Sequence, residues 1–213
     1  MLSPVATSDP LERLLRESRV LWRGRELSRA PARTTGFAAL DERLPGGGWP
    51  IGALVEIFCA CEGLGELSLV LPLMRALSTE KRAVALIAPP HTPYAPALVR
   101  AGIRLPSLVW IHAVTEEDAR WSAEQFLREG LGGATLLWSN PQSDRALRRL
   151  QLAAETGHAT AFLYRPISAL AHSSPAALRL ALFPDNGRTR IELLKVRGAR
   201  AGQLTLPLGA TSS

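Results

Sequence analysis

Lysine is almost absent from this sequence, since 23 of the 25 basic residues are arginine. The charge is also uneven along the chain. Residues 1–144 carry 15 basic against 16 acidic residues, whereas residues 145–213 carry 10 against 3. A basic C-terminal third favours an anionic partner, and we expect weak DNA contact through this region or contact with an acidic protein surface. The arginine bias of the whole chain offers a purely compositional explanation for the same excess.

Cysteine is scarce as well. Cys59 and Cys61 are separated by one residue, too close in the chain for normal disulfide geometry. Neither has a histidine or further cysteine at zinc-ligand spacing, and the four histidines are scattered. We therefore interpret the two thiols as small residues that follow a buried strand. The sequence predicts no metal site and no cofactor.

Long apolar runs are also missing. No run approaches the roughly 18 residues that a membrane helix needs, and the longest, residues 83–90, has the length of a strand. The first ten residues, MLSPVATSDP, lack the charged start and apolar stretch of a secretory signal. These features predict a cytoplasmic protein with no membrane partner.

Short apolar segments alternate with helical ones along most of the chain. Runs of about five apolar residues between amphipathic stretches are typical of an α/β fold, in which a mostly parallel sheet has helices on both faces. Two final strands, 177–183 and 188–196, predict a C-terminal antiparallel hairpin across the turn sequence Pro184-Asp185-Asn186-Gly187. The predicted parallel strands are 53–58, 83–88, 108–111, 134–138 and 160–164, and the main helices are 67–78, 93–101, 116–130 and 143–157.

The two ends of the chain differ from this pattern. Residues 11–23 place Leu11, Leu14 and Leu15 at helical spacing among charges, which predicts an amphipathic helix. We expect residues 1–33 to be this helix and a linker, residues 34–200 to be one domain, and residues 201–213 to be a flexible tail.

The loop after the first long strand is the expected ligand site, because ligands of open α/β sheets bind beyond the carboxyl ends of the strands. A phosphate-binding Walker A loop reads G-x-x-x-x-G-K-[ST]. Aligning Gly65 with its second glycine puts Ala60 at the first, with Gly63 between them. Glu66 then replaces the lysine and Leu67 replaces the serine or threonine. The sequence predicts a degenerate phosphate loop.

The exchange of lysine for Glu66 reverses the electrostatics of that loop. Two unit charges about 4 Å apart interact by about 4 kcal/mol at an effective dielectric near 20, so attraction for a γ-phosphate becomes repulsion of similar size. Leu67 also removes the hydroxyl that would bind Mg²⁺. A nucleoside triphosphate is therefore disfavoured.

The segment that leads into this loop resembles RecA. Residues 35–58, TGFAALDERLPGGGWPIGALVEIF, share the T-G and L-D pairs, the glycine run, the proline and glycine before the strand, and V-E-I followed by an aromatic. The similarity extends at lower specificity to about residue 200. It implies a RecA-like P-loop core whose water-activating acid would fall at Pro89-Pro90 and whose Walker B aspartate would fall at Trp138 or Ser139. Proline and tryptophan can neither take a proton nor hold a hydrated Mg²⁺, so the resemblance implies a pseudo-ATPase without enzymatic activity.

Within the RecA-like proteins the chain most resembles the ImuA family. The resemblance lies in residues 36–54, 63–73, 85–98 and 146–166, the last reading ALRRLQLAAETGHATAFLYRP. It implies a non-catalytic role in SOS-induced translesion DNA synthesis and mutagenesis. The implied partners are an ImuB-type Y-family-like protein, RecA and an error-prone α-type polymerase.

The resemblance also indicates residues for partner binding. In RecA, two lysines near the end of the closing hairpin reach the neighbouring protomer, and Lys195 and Arg197 stand at the matching places with Arg200 just beyond. A solvated basic strand end would look the same. The stripe of Leu11, Leu14 and Leu15 could dock on a partner as the N-terminal helix of RecA does, or pack on its own core.

Two other functions stay open. Residues 63–77 and 86–90 also resemble SulA-type inhibitors of cell division, which bind the tubulin-like division protein. The long N-terminal extension and the RecA-like segment at residues 34–58 favour the ImuA family instead. A true ATPase with an unorthodox site is the third reading, and nucleotide binding would separate it from the others.

Overall fold

The computed structural model describes residues 31–130, 132–141 and 143–208. The predicted N-terminal helix, with Leu11, Leu14 and Leu15, lies outside the described residues. Within them the chain begins with a small antiparallel pair, β1 (Ala32–Arg33) and β2 (Trp49–Pro50). Between these strands lie a four-residue helix, α1 (Ala38–Asp41), and a 3₁₀ turn at Pro45–Gly47.

An eight-stranded sheet forms the centre of the domain, in the order β10-β9-β8-β3-β7-β6-β4-β5. Six neighbouring strands, from β8 across to β5, run parallel, and β9 and β10 extend the sheet by antiparallel pairing. The sheet is therefore mostly parallel, as the sequence predicts. The strands are β3 (Ala53–Cys59), β4 (Ala83–Ile87), β5 (Leu108–Ile111), β6 (Gly132–Trp138), β7 (Thr160–Pro166), β8 (Leu178–Asp185), β9 (Arg188–Val196) and β10 (Gly202–Leu206).

Helices cover both faces of the parallel strands. On one face, α2 (Leu71–Thr79) and α3 (Ala95–Arg100) pack on a core that contains Val55 and Ile57 of β3. On the other, α4 (Glu116–Arg128) and α5 (Asp144–Gly157) pack on a core that contains Leu54. Because β3 is buried on both faces, it reads as a continuous apolar run interrupted only by Glu56.

Local sequence explains where several elements begin and end. Thr115 and Ser143 cap α4 and α5, each accepting a hydrogen bond from a backbone N–H of the first turn. Pro72 lies in the first turn of α2, where its missing N–H costs nothing. The predicted helix 67–78 therefore begins at Leu71 instead, after a turn over the preceding residues.

The C-terminal hairpin is confirmed, with β8 and β9 antiparallel and joined through Asn186 and Gly187. Both turn residues have positive φ, 46° and 76°, which suits Asn-Gly in a two-residue hairpin turn.

The expectation of a flexible tail from residue 201 is wrong for its first part. Residues 202–206 form β10, which pairs with β9 along its whole length. Leu206 and Leu208 are then buried in the same core as Val55 and Ile57. Residues 203–206, Gln-Leu-Thr-Leu, do alternate polar and apolar side chains, which is the pattern of a strand with one buried face. The free edge of β9 supplies a full row of backbone partners for this strand.

Among the residues that the structure describes, no helix combines the length and the apolar character needed to cross a membrane.

Candidate functional site

A cavity of about 450 Å³ opens beyond the carboxyl ends of β3, β6 and β7. This is the position where ligands bind in open α/β sheets, and the volume lies in the range of small-molecule sites. The lining combines the loop after β3 with residues at or just after the ends of the other two strands, together with Pro90 and Glu116. Its members are Cys59, Ala60, Cys61, Glu62, Glu66, Pro90, Glu116, Trp138, Ser139, Asn140, Tyr164, Arg165 and Pro166.

The loop after β3 turns through two glycines with positive φ, Gly63 at 78° and Gly65 at 79°. A Cβ atom on Gly63 would meet nothing within 4 Å, whereas one on Gly65 would lie 2.2 Å from the carbonyl oxygen of Leu208. The segment that follows β10 therefore lies directly against the loop. Only glycine combines the left-handed backbone and this close approach at position 65.

Glu66 is one of the residues that line the cavity. Its Oε2 atom is buried and has no hydrogen-bond partner among the described residues. Its main-chain carbonyl accepts a hydrogen bond from the hydroxyl of Tyr164 at 3.2 Å. The neighbouring Leu67 packs partly buried against the core and offers no oxygen to a cation.

The groups around Glu66 are held in their neutral forms. Burial raises the pKa of Cys59 to about 12, and the charge of Glu66 and the neighbouring Cys61 add to the effect. Burial likewise raises the pKa of Tyr164 well above its usual value, with Cys59 and Glu66 as the further causes. Cys59 is thus a protonated thiol at neutral pH and cannot act as a nucleophile.

Two aromatic rings form one wall of the cavity. Trp138 stacks on Tyr164 with ring centroids 4.6 Å apart and an angle of 9° between the planes. Next to them, the hydroxyl of Ser139 donates to Oε2 of Glu116, and the backbone N–H of Asn140 donates to Oε1 at 3.4 Å. The first residue of α4 is thereby tied to the end of β6.

Arg165 is the basic residue of the lining, but its guanidinium is buried and each of its three nitrogens donates to an acceptor of the protein. Nη1 donates to Oε1 of Glu56 at 2.7 Å, and Nε and Nη2 donate to Oδ1 of Asn140 at 3.2 and 3.1 Å. Nη2 also donates to the carbonyl of Pro141. Glu56 binds Arg179 as well, through Nε at 2.8 Å. The cluster holds the strands together and leaves no free guanidinium for a phosphate.

The rim of the cavity is acidic. Glu62 is exposed and pairs with His91 at 3.0 Å. Pro90, Trp138 and Ser139 also line the cavity. The resemblance to RecA places the water-activating acid at Pro89-Pro90 and the Walker B aspartate at Trp138 or Ser139. Among the described residues, no group of three or more histidine, cysteine, aspartate or glutamate residues could hold a metal ion.

The structure therefore brings most of the predicted loop to one site. Ala60 and Glu66 line the cavity, while Gly63, Gly65 and Leu67 shape the loop behind them. Sequence reasoning missed five lining residues. Four of them lie at the end of a predicted strand or within two residues after it, where the rule about carboxyl ends would have found them. The missed residues are Glu116, Asn140, Tyr164, Arg165 and Pro166.

The predicted partner-binding residues lie elsewhere. Lys195 on β9 lies opposite Arg179 on β8 in the antiparallel register of the two strands. Its Nζ donates to the carbonyl of Ser174 at 2.8 Å. Partial burial lowers the pKa of Lys195, and Arg197 and Arg179 lower it further. Arg197 donates to the carbonyl of Pro175, and Arg200 is exposed.

These basic residues lie toward the opposite end of the sheet from the cavity. Ala177, the residue before β8, donates its backbone N–H to the carbonyl of Leu54, and its own carbonyl accepts from the backbone N–H of Arg197. Arg197 therefore lies level with the beginning of β3. The cavity lies beyond Cys59 at the other end of that strand. The basic residues and the loop after β3 thus lie on two separate surfaces.

No family model matches the chain, and no curated protein is significantly similar to it in sequence.

Proposed function

We propose that this protein is a non-catalytic, RecA-like accessory factor of SOS-induced translesion DNA synthesis. It acts through protein–protein contacts with an ImuB-type Y-family-like protein, RecA and an error-prone α-type polymerase. The observation that carries the proposal is Glu66, a carboxylate at the place of the phosphate-binding lysine, in the cavity where an ATPase of this architecture would bind nucleotide.

The surroundings of Glu66 support the absence of hydrolysis. Three carboxylates line the cavity, and the guanidinium of Arg165 is bound by Glu56 and Asn140. A triphosphate would meet like charge there, and phosphoryl transfer depends on positive charge to stabilise its transition state. Leu67, Pro90 and Trp138 supply neither a Mg²⁺ ligand nor a base.

The architecture is compatible with a RecA-like core. β3 lies inside the sheet between β7 and β8, and a glycine-containing loop leads from it into α2. A phosphate loop occupies the same strand–loop–helix position in P-loop proteins. The proposed fold family rests on this position together with the resemblance of residues 35–58.

The separation of the two surfaces supports an assembly role. A head-to-tail contact needs two different surfaces on one molecule. The cavity lies beyond the carboxyl ends of the parallel strands, and Lys195, Arg197 and Arg200 lie toward the other end. A molecule of this kind can cap or extend a RecA-type filament without hydrolysing nucleotide.

Nucleotide binding tests the catalytic half of the proposal. We expect calorimetric titration with ATP and Mg²⁺ to give no saturable heat, and we expect no phosphate release. The double substitution Glu66→Lys and Leu67→Ser restores the two motif residues, and Glu62→Gln serves as a control that changes only the rim. Binding with turnover by the unmodified protein would make it an ATPase and overturn the proposal.

Genetics tests the cellular half. Deletion of the gene should abolish damage-induced mutation while leaving cell division normal. Filamentation on overexpression without DNA damage would instead assign the protein to the SulA-type division inhibitors.

A further inference from the structure

One buried carboxylate oxygen of the cavity has no donor. Oε2 of Glu66 is buried without a hydrogen-bond partner, and among the described residues no arginine, lysine or histidine forms an ion pair with this side chain. Burying a charged oxygen without a partner is costly. A donor that enters the cavity with positive charge would remove that cost.

The other charged groups of the lining already have partners. Glu116 accepts from Ser139 and from the backbone of Asn140. Glu62 pairs with His91 at the rim, and Arg165 is bound to Glu56 in the buried cluster. The unbalanced charge of the cavity is therefore negative and centred on Glu66.

An aromatic surface lies in the same cavity. Trp138 is only partly buried, lines the cavity, and is held in place by its stacking on Tyr164. A planar cation stacks on an aromatic face and pairs with a carboxylate through parallel N–H donors. Guanidinium does both, whereas the ammonium of lysine is a compact point charge.

We infer that this cavity binds a guanidinium group, presented as an arginine side chain of a protein partner. The carboxylate of Glu66 pairs with the guanidinium, and Trp138 stacks on its plane. Only the source of the arginine, a protein partner, rests on the proposed function; the chemistry follows from the cavity itself. A metal ion is a poorer occupant, because the described residues offer no group of three ligands and the raised pKa of Cys59 keeps its thiol protonated.

Titration of the full chain with acetyl-arginine amide tests the inference. The probe is compared with acetyl-citrulline amide, which has nearly the same shape without the charge. The readout is the indole N–H signal of Trp138 by NMR, assigned by Trp138→Phe. We expect saturable shifts for the arginine compound with a dissociation constant in the millimolar range, and binding of the citrulline compound weaker by about tenfold or more.

Two variants locate the binding group. Glu66→Gln keeps the shape of the side chain and should weaken arginine binding by about tenfold or more, whereas Glu62→Gln at the rim should change it by less than about threefold. Heat melts verify that both variants are folded, and the comparison of the two ligands on the unmodified chain needs no variant.

Equal shifts with both ligands, no saturable shift with arginine, or unchanged binding by Glu66→Gln would overturn the inference. The indole N–H signal of Trp138 is also followed during titration with ATP and Mg²⁺. This second titration distinguishes failure of the inference from failure of the proposed function. Nucleotide binding with turnover defeats the proposed function, whereas absence of both nucleotide and arginine binding defeats only the inference.

Discussion

Oε1 of Glu56 accepts a hydrogen bond from Nη1 of Arg165 at 2.7 Å, and neither side chain is exposed to solvent. The second oxygen of Glu56 accepts from Arg179, and both guanidinium groups lie over the ring of Phe58 at 5.7 and 4.9 Å from its centre. One carboxylate in the middle of β3 thus joins the strands on either side of it, β7 and β8. The cluster also determines the chemistry of the cavity, because it removes Arg165 from the set of groups that a ligand can reach.

Breaking this pair should destabilise the protein strongly. We expect Arg165→Met to lower the free energy of unfolding by about 3 to 5 kcal/mol, because it leaves part of the charge of Glu56 buried without its partner. Urea denaturation measures the change. The control is Arg33→Met, which breaks the part-exposed pair of Arg33 and Glu80 at 2.7 Å and should cost about 1 kcal/mol or less. Equal losses for the two variants would contradict the structural role given to Glu56.

Gly65 and Gly63 form a matched pair for a second prediction. Alanine at either position should lower the free energy of unfolding by about 1 to 2 kcal/mol, because the backbone there is left-handed. Alanine at position 65 also places a Cβ atom 2.2 Å from the carbonyl oxygen of Leu208, so Gly65→Ala should cost more than Gly63→Ala. The comparison of the two melting temperatures checks this, and faster proteolysis after residue 200 in Gly65→Ala would show that the C-terminal segment is displaced. Similar melting temperatures would mean that this contact is not maintained in solution.

The C-terminal segment itself should contribute to stability. Leu208 is 3% exposed, whereas Leu194 on β9 is 37% exposed. We expect Leu208→Ala to cost about 2 to 4 kcal/mol through lost burial and the cavity that remains, and Leu194→Ala to cost about 1 kcal/mol or less. Thermal unfolding of the two variants provides the measurement. A small loss of stability in Leu208→Ala would indicate that residues 207–208 belong to the flexible tail that the sequence predicts.

The two cysteines should differ in reactivity. Cys61 is exposed, whereas burial raises the pKa of Cys59 to about 12. At pH 8 a maleimide should therefore modify Cys61 and spare Cys59 until urea unfolds the chain. Peptide mapping of the labelled protein shows which thiol has reacted, with Cys61→Ser as the variant that should remain unlabelled when folded.

The same raised pKa predicts a loss of stability at high pH. The unfolded thiol loses its proton near pH 9, whereas the folded thiol keeps its proton up to about pH 12. The folded state thus binds more protons across this interval, and the free energy of unfolding falls as pH rises through it. Cys59→Ala should reduce the slope above pH 9, and an unchanged slope would show that Cys59 is not its source.

Charge reversal tests the basic surface. Because the side chain of Arg197 is exposed and donates to the backbone carbonyl of Pro175, Arg197→Glu together with Arg200→Glu should weaken capture of RecA or the ImuB-type protein without unfolding the chain. The control is Arg148→Glu, an exposed residue on α5. Arg149 is unsuitable as a control because it pairs with Glu124 at 2.7 Å. Unchanged capture of both partners would remove this surface from the proposal.

The sequence alone determined the elements whose signals are local. Five apolar runs became parallel strands, Asn186-Gly187 predicted the hairpin turn, and Glu66 and Leu67 showed that the loop departs from the Walker A pattern. Each of these conclusions depends on residues close together in the chain, where periodicity, turn chemistry and motif spacing act directly.

Only the tertiary structure decided which distant residues meet. It showed that Arg165 is neutralised by Glu56, that Leu208 lies against Gly65, and that Trp138 and Tyr164 form the wall beside Glu66. It also showed that β10 completes the edge of β9. Contacts between residues tens of positions apart depend on strand order and register, which leave no periodic trace in the sequence. The acidity of the loop was thus readable from the sequence, whereas the cavity around it exists only in the fold.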